Sequence, residues 1–153
     1  MPRLLIVSHV PSVNTSAMTD AVVSGASHED ISGVDLRVRN PFEAGVEDVL
    51  WADGLILGTT ENFGYMSGAI KDFFERIYYP CLDKTEGLPY ALFIRAGNDG
   101  LGAKTSIERI IKGLAWRAVQ EPLICSGDYQ ESFHELCEEL GMTMAAGLEA
   151  GIF

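Results

Sequence analysis

The sequence predicts an α/β fold of the doubly wound kind: a five-stranded parallel sheet in the order 2-1-3-4-5 with helices on both faces. Three observations predict it. Short apolar runs rich in β-formers alternate with amphipathic helical stretches along the whole chain. Three of the five runs are almost continuously apolar, as strands covered on both faces require. Glycine, hydroxyl and aromatic residues gather in the loops that follow the first, third and fourth runs, at the strand ends where doubly wound sheets bind ligands.

The expected strands are Leu4 to Val7, Val34 to Val38, Leu55 to Leu57, Tyr90 to Ile94 and Val119 to Cys125. Only the second alternates apolar and polar residues, which places it at a sheet edge. After the first strand, Ala17, Met18, Ala21, Val22 and Gly25 keep helical spacing and make a narrow apolar face, so this helix packs closely. After the third, Ile70, Phe73, Phe74 and Ile77 form a stripe opposite Lys71, Asp72, Glu75 and Arg76, ended by Tyr79-Pro80. Ile107, Ile110, Ile111 and Leu114 repeat the pattern after the fourth. The last helix runs from about Glu131 past Leu140 with Phe133, Leu136, Cys137, Leu140, Met144 and Leu148 inward, its second half weakened by Gly141 and Gly147. Strand–helix–strand units of this kind close with right-handed crossovers.

A chain of 153 residues matches one domain, taken as 1–153, with no linker, repeat or low-complexity tract. Its apolar content of 47% is ordinary, and no apolar run approaches the ~18 residues that cross a bilayer. Leu4 to Val7 is too short for a secretory core, so the expected location is cytoplasmic, without membrane contact. Cys81, Cys125 and Cys137 form no CxxC pair and suggest buried thiols rather than a metal site or a disulfide framework. A net charge of −11 repels phosphate backbones and argues against nucleic-acid binding.

Three loops carry the chemistry. Ser8-His9-Val10-Pro11-Ser12-Val13-Asn14-Thr15-Ser16 opens a helix with hydroxyls, an amide and no carboxylate, which suits a phosphate monoester at the helix N-terminus. It has neither the lysine of a P-loop nor the spaced glycines of a dinucleotide fingerprint. The alternative is that Ser12, Asn14 or Thr15 only caps the helix. In Gly58-Thr59-Thr60-Glu61-Asn62-Phe63-Gly64-Tyr65-Met66-Ser67-Gly68, the side chains of Phe63, Tyr65 and Met66 can wall a planar ring while amides near Gly64 bond its polar edge. The alternative is a loop tucked under its own aromatic anchors. Ala96-Gly97-Asn98-Asp99-Gly100-Leu101-Gly102-Ala103 has three glycines in six residues, pointing to positive backbone angles or close approach to a ligand.

These residues resemble the flavodoxin-like superfamily, specifically its NAD(P)H-dependent FMN reductase and quinone reductase branches, over nearly the whole chain. Ser12-Val13-Asn14-Thr15 is similar to the flavodoxin phosphate loop, departing from it at Val10, where a hydroxyl is usual, and at Val13, where glycine is usual. The segment Gly58 to Gly68 with Ile70-Lys71-Asp72-Phe73-Phe74-Glu75-Arg76 is the most specific match, to the second flavin loop of the quinone-reductase branch, with Thr60 where proline is frequent. Gly97-Asn98-Asp99-Gly100 resembles the third flavin loop without the aromatic that often covers the outer ring face.

The resemblance implies FMN as cofactor, with Ser12, Val13, Asn14 and Thr15 at its phosphate. It places Thr60, Glu61, Asn62, Phe63, Gly64, Tyr65 and Met66 along the ribityl chain and ring, and Gly97, Asn98, Asp99 and Gly100 at the pyrimidine side. It further implies transfer of reducing equivalents from NAD(P)H to a small acceptor such as a quinone or flavin, through the ring face left open. The flavin performs that chemistry, so no catalytic residue is assigned; Glu61, Asp99 and Tyr65 are candidate proton donors or substrate positioners. His9 is a candidate phosphate contact, whereas His28 and His134 read as surface positions. Two other readings compete: a flavodoxin-type electron carrier, whose acidic surface suits a basic reductase, and a flavodoxin-like domain that has lost FMN. A response-regulator receiver is disfavoured by Ser8-His9, Thr59-Thr60 and Cys125-Ser126, which stand where that family has acidic residues, an aspartate and a lysine. Self-association, the acceptor and the choice of NADH or NADPH are left open.

Overall fold

The structure, a computed structural model, describes all residues from Met1 to Phe153. Its elements are β1 (Arg3–Ser8), α1 (Val13–Ala26), β2 (Asp35–Arg39), α2 (Val46–Trp51), β3 (Gly54–Asn62), β4 (Tyr65–Met66), α3 (Gly68–Cys81), β5 (Pro89–Ala96), α4 (Leu101–Leu114), β6 (Arg117–Ala118), β7 (Leu123–Ser126) and α5 (Ser132–Glu149). The sheet runs β2-β1-β3-β5-β6, with β7 also on β5 and β4 on β3. All pairings are parallel except β3 with β4. This is the expected strand order, with β6 and β7 sharing the fifth position.

Side-chain alternation divides the interior in two. Leu5, Val7, Leu55, Leu57, Leu92 and Ile94 point to one core, closed by Val49 of α2, Phe73, Phe74 and Ile77 of α3, and Ile107 and Ile111 of α4. Leu4, Ile6, Ile56, Ala91 and Phe93 point to the other, closed by Met18 and Val22 of α1 and by Phe133, Cys137, Leu140 and Met144 of α5. That explains the uninterrupted apolar runs of β1, β3 and β5. Phe73 and Phe74 are almost fully buried, and truncating either to alanine removes about 3 to 5 kcal/mol.

Helices α1 and α5 meet backbone to backbone. A Cβ at Gly25 would overlap the Glu138 carbonyl, and one at Gly141 would overlap the Val22 carbonyl. Gly141 is therefore the contact that lets α5 lie against α1 rather than a weak point in its second half.

Several boundaries differ from expectation. The fifth strand is interrupted between Ala118 and Leu123, where Pro122 has no N–H for a ladder. Helix α3 continues one residue past Pro80, because proline in a last turn removes a single donor. Leu136 is exposed rather than inward. Helix α2, six residues long, is too short to show a period and is fixed instead by Asp48, whose carboxylate accepts from the Gly45 N–H at 2.9 Å and pairs with Arg37 at 3.0 Å. Strand β3 extends far beyond Leu57, and its last residues fold back on β4 as a hairpin beside the candidate site.

Candidate functional site

The three chemistry-bearing loops all lie at the carboxyl edge of the sheet, after β1, β3 and β5, which are neighbours in it. The first is built around a capping box. Ser12 Oγ accepts from the Thr15 N–H at 3.2 Å, and the Ser12 N–H donates to Thr15 Oγ1 at 3.1 Å. Thr15 Oγ1 also donates to the Ser12 carbonyl at 3.0 Å, so both hydroxyls are engaged within the loop. The N–H groups of Val13 and Asn14 have no acceptor inside the protein, the Asn14 side chain is exposed and unbonded, and the first turn of α1 holds no acidic residue. These are open donors at the positive end of a helix, the chemistry that holds a phosphate.

The second loop is a hairpin. Glu61 pairs with Met66 and Asn62 with Tyr65 across a two-residue turn, with φ of 55° at Phe63 and 68° at Gly64. Positive φ at both central residues is the I′ pattern that matches strand twist, normally built from asparagine or glycine. Phe63 occupies it with its ring fully exposed, Tyr65 is partly exposed beside it, and Met66 is buried in the core facing α3 and α4. The aromatic wall thus consists of Phe63 and Tyr65, with Met66 as its anchor. Helix α4 fixes the hairpin: Ser106 Oγ accepts from the Met66 N–H at 3.1 Å, and a Cβ at Gly102 would overlap the Gly64 carbonyl.

The third loop ends at Gly100, in the left-handed region at φ 73° and capping α4. Asp99 accepts from the Leu101 N–H at 3.0 Å, and Glu61 reaches across from the hairpin to accept from the Ala103 N–H at 3.1 Å. The candidate proton donors Glu61 and Asp99 are therefore helix caps in this arrangement. Their charges close the α4 terminus to anions and leave α1 as the open one. Gly97, Asn98 and Asp99 are exposed and bring no aromatic ring to the edge.

Two buried polar atoms at this edge lack any partner: Thr60 Oγ1, at the end of β3, and His9 Nδ1, just past β1. Burial pushes the His9 imidazole below its ordinary pKa, so it is neutral at pH 7. Unsatisfied buried polar groups are rare, and two on adjacent strands beside an open helix N-terminus mark where a polar ligand belongs.

Three further residues at this edge escaped sequence reasoning. Arg95, the penultimate residue of β5, lies over the rings of Tyr129 and Phe133 at 5.6 and 5.4 Å. Tyr129 Oη donates to the Asn14 carbonyl at 3.2 Å and is hydrogen-bonded to His134 Nε2. His134 is thus half-buried in a contact with Tyr129 rather than a plain surface histidine. The available signal was a charge inside the apolar run from Pro89 to Ala96.

Comparison with known proteins agrees with the fold that carries these loops. An archaeal flavodoxin superposes with a TM-score of 0.81 at 18% identity, covering 96% of this chain and 99% of its own. The chain has the flavodoxin fold. Oxidised flavodoxin 1 from Bacillus cereus matches this fold at TM-score 0.77 and 19% identity, covering 95% of this chain and 99% of its own. A WrbA-like flavodoxin from Agrobacterium tumefaciens matches at 0.77 and 16%, covering 98% and 99%. In sequence, a flavodoxin from Aquifex aeolicus (strain VF5) is 31% identical over 111 residues, 72% of this chain; the chain spans 59% of that relative's length. No family model matches. No helix of the flavodoxin-fold chain is long and apolar enough to cross a membrane.

Proposed function

We propose that this chain binds FMN at the carboxyl edge of its sheet and serves as an electron carrier of the flavodoxin type. The observation that carries the reading is the pair of open N–H groups on Val13 and Asn14, beside the partnerless Thr60 hydroxyl, at the site matching the flavodoxin fold's ligand edge. The match to the Aquifex aeolicus flavodoxin supports it.

Bound FMN would supply the redox chemistry, its ring accepting and releasing electrons. The protein's own groups bind and orient. Val13 N–H, Asn14 N–H, the Asn14 amide and Thr60 Oγ1 would hold the phosphate and the first ribityl oxygens, while the Ser12–Thr15 capping box keeps the loop in shape. The rings of Phe63 and Tyr65 would flank the flavin, and the backbone of Gly97, Asn98 and Asp99 would meet its polar edge. The carboxylates of Glu61 and Asp99, held against α4, keep negative charge beside the ring and disfavour a further negative charge on it.

A second reading, an NAD(P)H-dependent reductase of a quinone or free flavin, is favoured by one observation: the segment 97–100 has no aromatic side chain to cover the ring. The protein as purified, or after FMN addition, should show two flavin absorbance bands and bind FMN more tightly than riboflavin. Anaerobic stopped-flow mixing with NADH and NADPH then separates the readings. A carrier stays oxidised until a reductase or dithionite is added, whereas rapid bleaching by either nucleotide overturns the carrier assignment in favour of the reductase. Absence of FMN binding refutes both.

A further inference from the structure

Arg95 is a cation without an anion. No carboxylate lies within 4.0 Å of it, although the chain carries a net charge of −11. Its guanidinium donates to the carbonyls of Ala96 at 2.6 Å and Cys125 at 3.1 Å, at the carboxyl ends of β5 and β7, and stacks on two aromatic rings. A half-buried charge fixed by neutral groups alone keeps most of its field for whatever lies nearby.

Two of its connections lead to the candidate site. Arg95 stands in register with Thr60 on the neighbouring strand. Alternation puts both on the face of the sheet that carries α1 and α5, because Phe93 and Ile56 belong to the core on that face. Thr60 Oγ1 is the partnerless hydroxyl. From the other side, the tyrosine under the guanidinium bonds the carbonyl of Asn14, in the first turn of α1. One tyrosine ring thus separates the cation from the first turn of α1, the turn whose N–H groups are open.

We propose that Arg95, seated on Tyr129, is the positive wall of the anion pocket at the α1 N-terminus, a positioning residue that makes this chain select a phosphorylated flavin over its dephosphorylated form. The proposal rests on the FMN reading and adds to it the group that sets selectivity. It also offers a reason for Val10 and Val13 in the first loop: a fixed positive charge replaces hydrogen-bonding groups that the loop lacks.

The test compares FMN with riboflavin, which differ only in the phosphate, by equilibrium titration of wild type, Arg95→Met, Arg95→Lys and Tyr129→Phe. Arg95→Met should weaken FMN about tenfold, the order expected for one partly screened charge a side chain away, and leave riboflavin within about twofold. Arg95→Lys should recover most of the loss, and Tyr129→Phe should show a smaller loss of the same selective kind. Raising salt should narrow the difference in FMN preference between wild type and Arg95→Met, because screening weakens the one charge in which the two differ. Equal weakening of both ligands would make Arg95 a packing residue and overturn the proposal, as would an unchanged ratio in Arg95→Met. Should Arg95→Met not fold, an unchanged FMN-to-riboflavin ratio in Tyr129→Phe overturns it equally. A wild type that binds neither flavin removes the FMN reading itself, and this proposal with it.

Discussion

Asn14 and Thr15 are adjacent, both polar and both assigned by resemblance to the same phosphate, yet their side chains do different work. Thr15 is buried and holds the capping box together, so Thr15→Ala should cost about 1 kcal/mol of folding stability, the usual value of a lost cap. The Asn14 side chain is exposed and bonds nothing, so Asn14→Ala should leave stability within about 0.5 kcal/mol. With FMN present the ranking reverses: Asn14→Ala should weaken binding by about 1 to 3 kcal/mol through loss of a hydrogen bond to a charged group. Urea midpoints of the apo protein and flavin titrations of both variants check this, and a stability loss in Asn14→Ala would make its amide a structural group. Sequence alone could not separate the two, because capping and phosphate binding call for the same residue types at a helix start. Glu61 shows the same limit. A carboxylate in a polar loop reads as a candidate acid, and only the packing of hairpin against α4 reveals the Ala103 N–H that it caps.

At the scale of elements, the hairpin of β3 and β4 is where local rules are broken. An I′ turn calls for asparagine or glycine, and an aromatic residue at φ 55° carries roughly 1 to 2 kcal/mol of strain. The ring is also fully exposed, so neither local geometry nor burial favours phenylalanine there. Phe63→Asn should therefore raise apo stability by about 0.5 to 1 kcal/mol, by relieving the turn. Flavin affinity should fall in the same variant, for FMN and riboflavin alike, because the lost contact is to the ring they share. Thermal melts and two titrations decide it; a stabilised variant with unaltered affinity would free Phe63 from the binding wall. The hairpin was not legible as such in the sequence. Only two residues on each arm pair, too few for alternation to show, and Phe-Gly is not a turn signal. By contrast, β1, β3 and β5 and the stripes of α3 and α4 were legible, because continuous burial on two faces and helical spacing each leave a long trace.

Over the whole molecule the two cores have different relations to the site. The core beneath α3 and α4 supports the hairpin through Met66, while the core beneath α1 and α5 sets where the first helix presents its N-terminus. Strand order and two-sided covering followed from the sequence, but the α1–α5 contact did not, because glycines in a helix read as weakness until the opposing backbone is known. Gly141 makes that contact at Val22, two turns along α1 from Asn14. Gly141→Ala gains up to about 1 kcal/mol in helix propensity. It must also push α1 from α5 against a backbone carbonyl, an overpacking cost of about 1 to 3 kcal/mol. The net outcome expected is a lower urea midpoint. It should come with a selective fall in FMN affinity relative to riboflavin, since displacement of α1 moves the Val13 and Asn14 N–H groups away from Thr60 and Arg95. Ile77→Val, destabilising by about 0.5 to 1.5 kcal/mol in the other core, serves as the control. It should lower the midpoint with no change in the FMN-to-riboflavin ratio. If the two variants shift that ratio equally, FMN affinity follows global stability, and the α1–α5 contact does not tune the pocket.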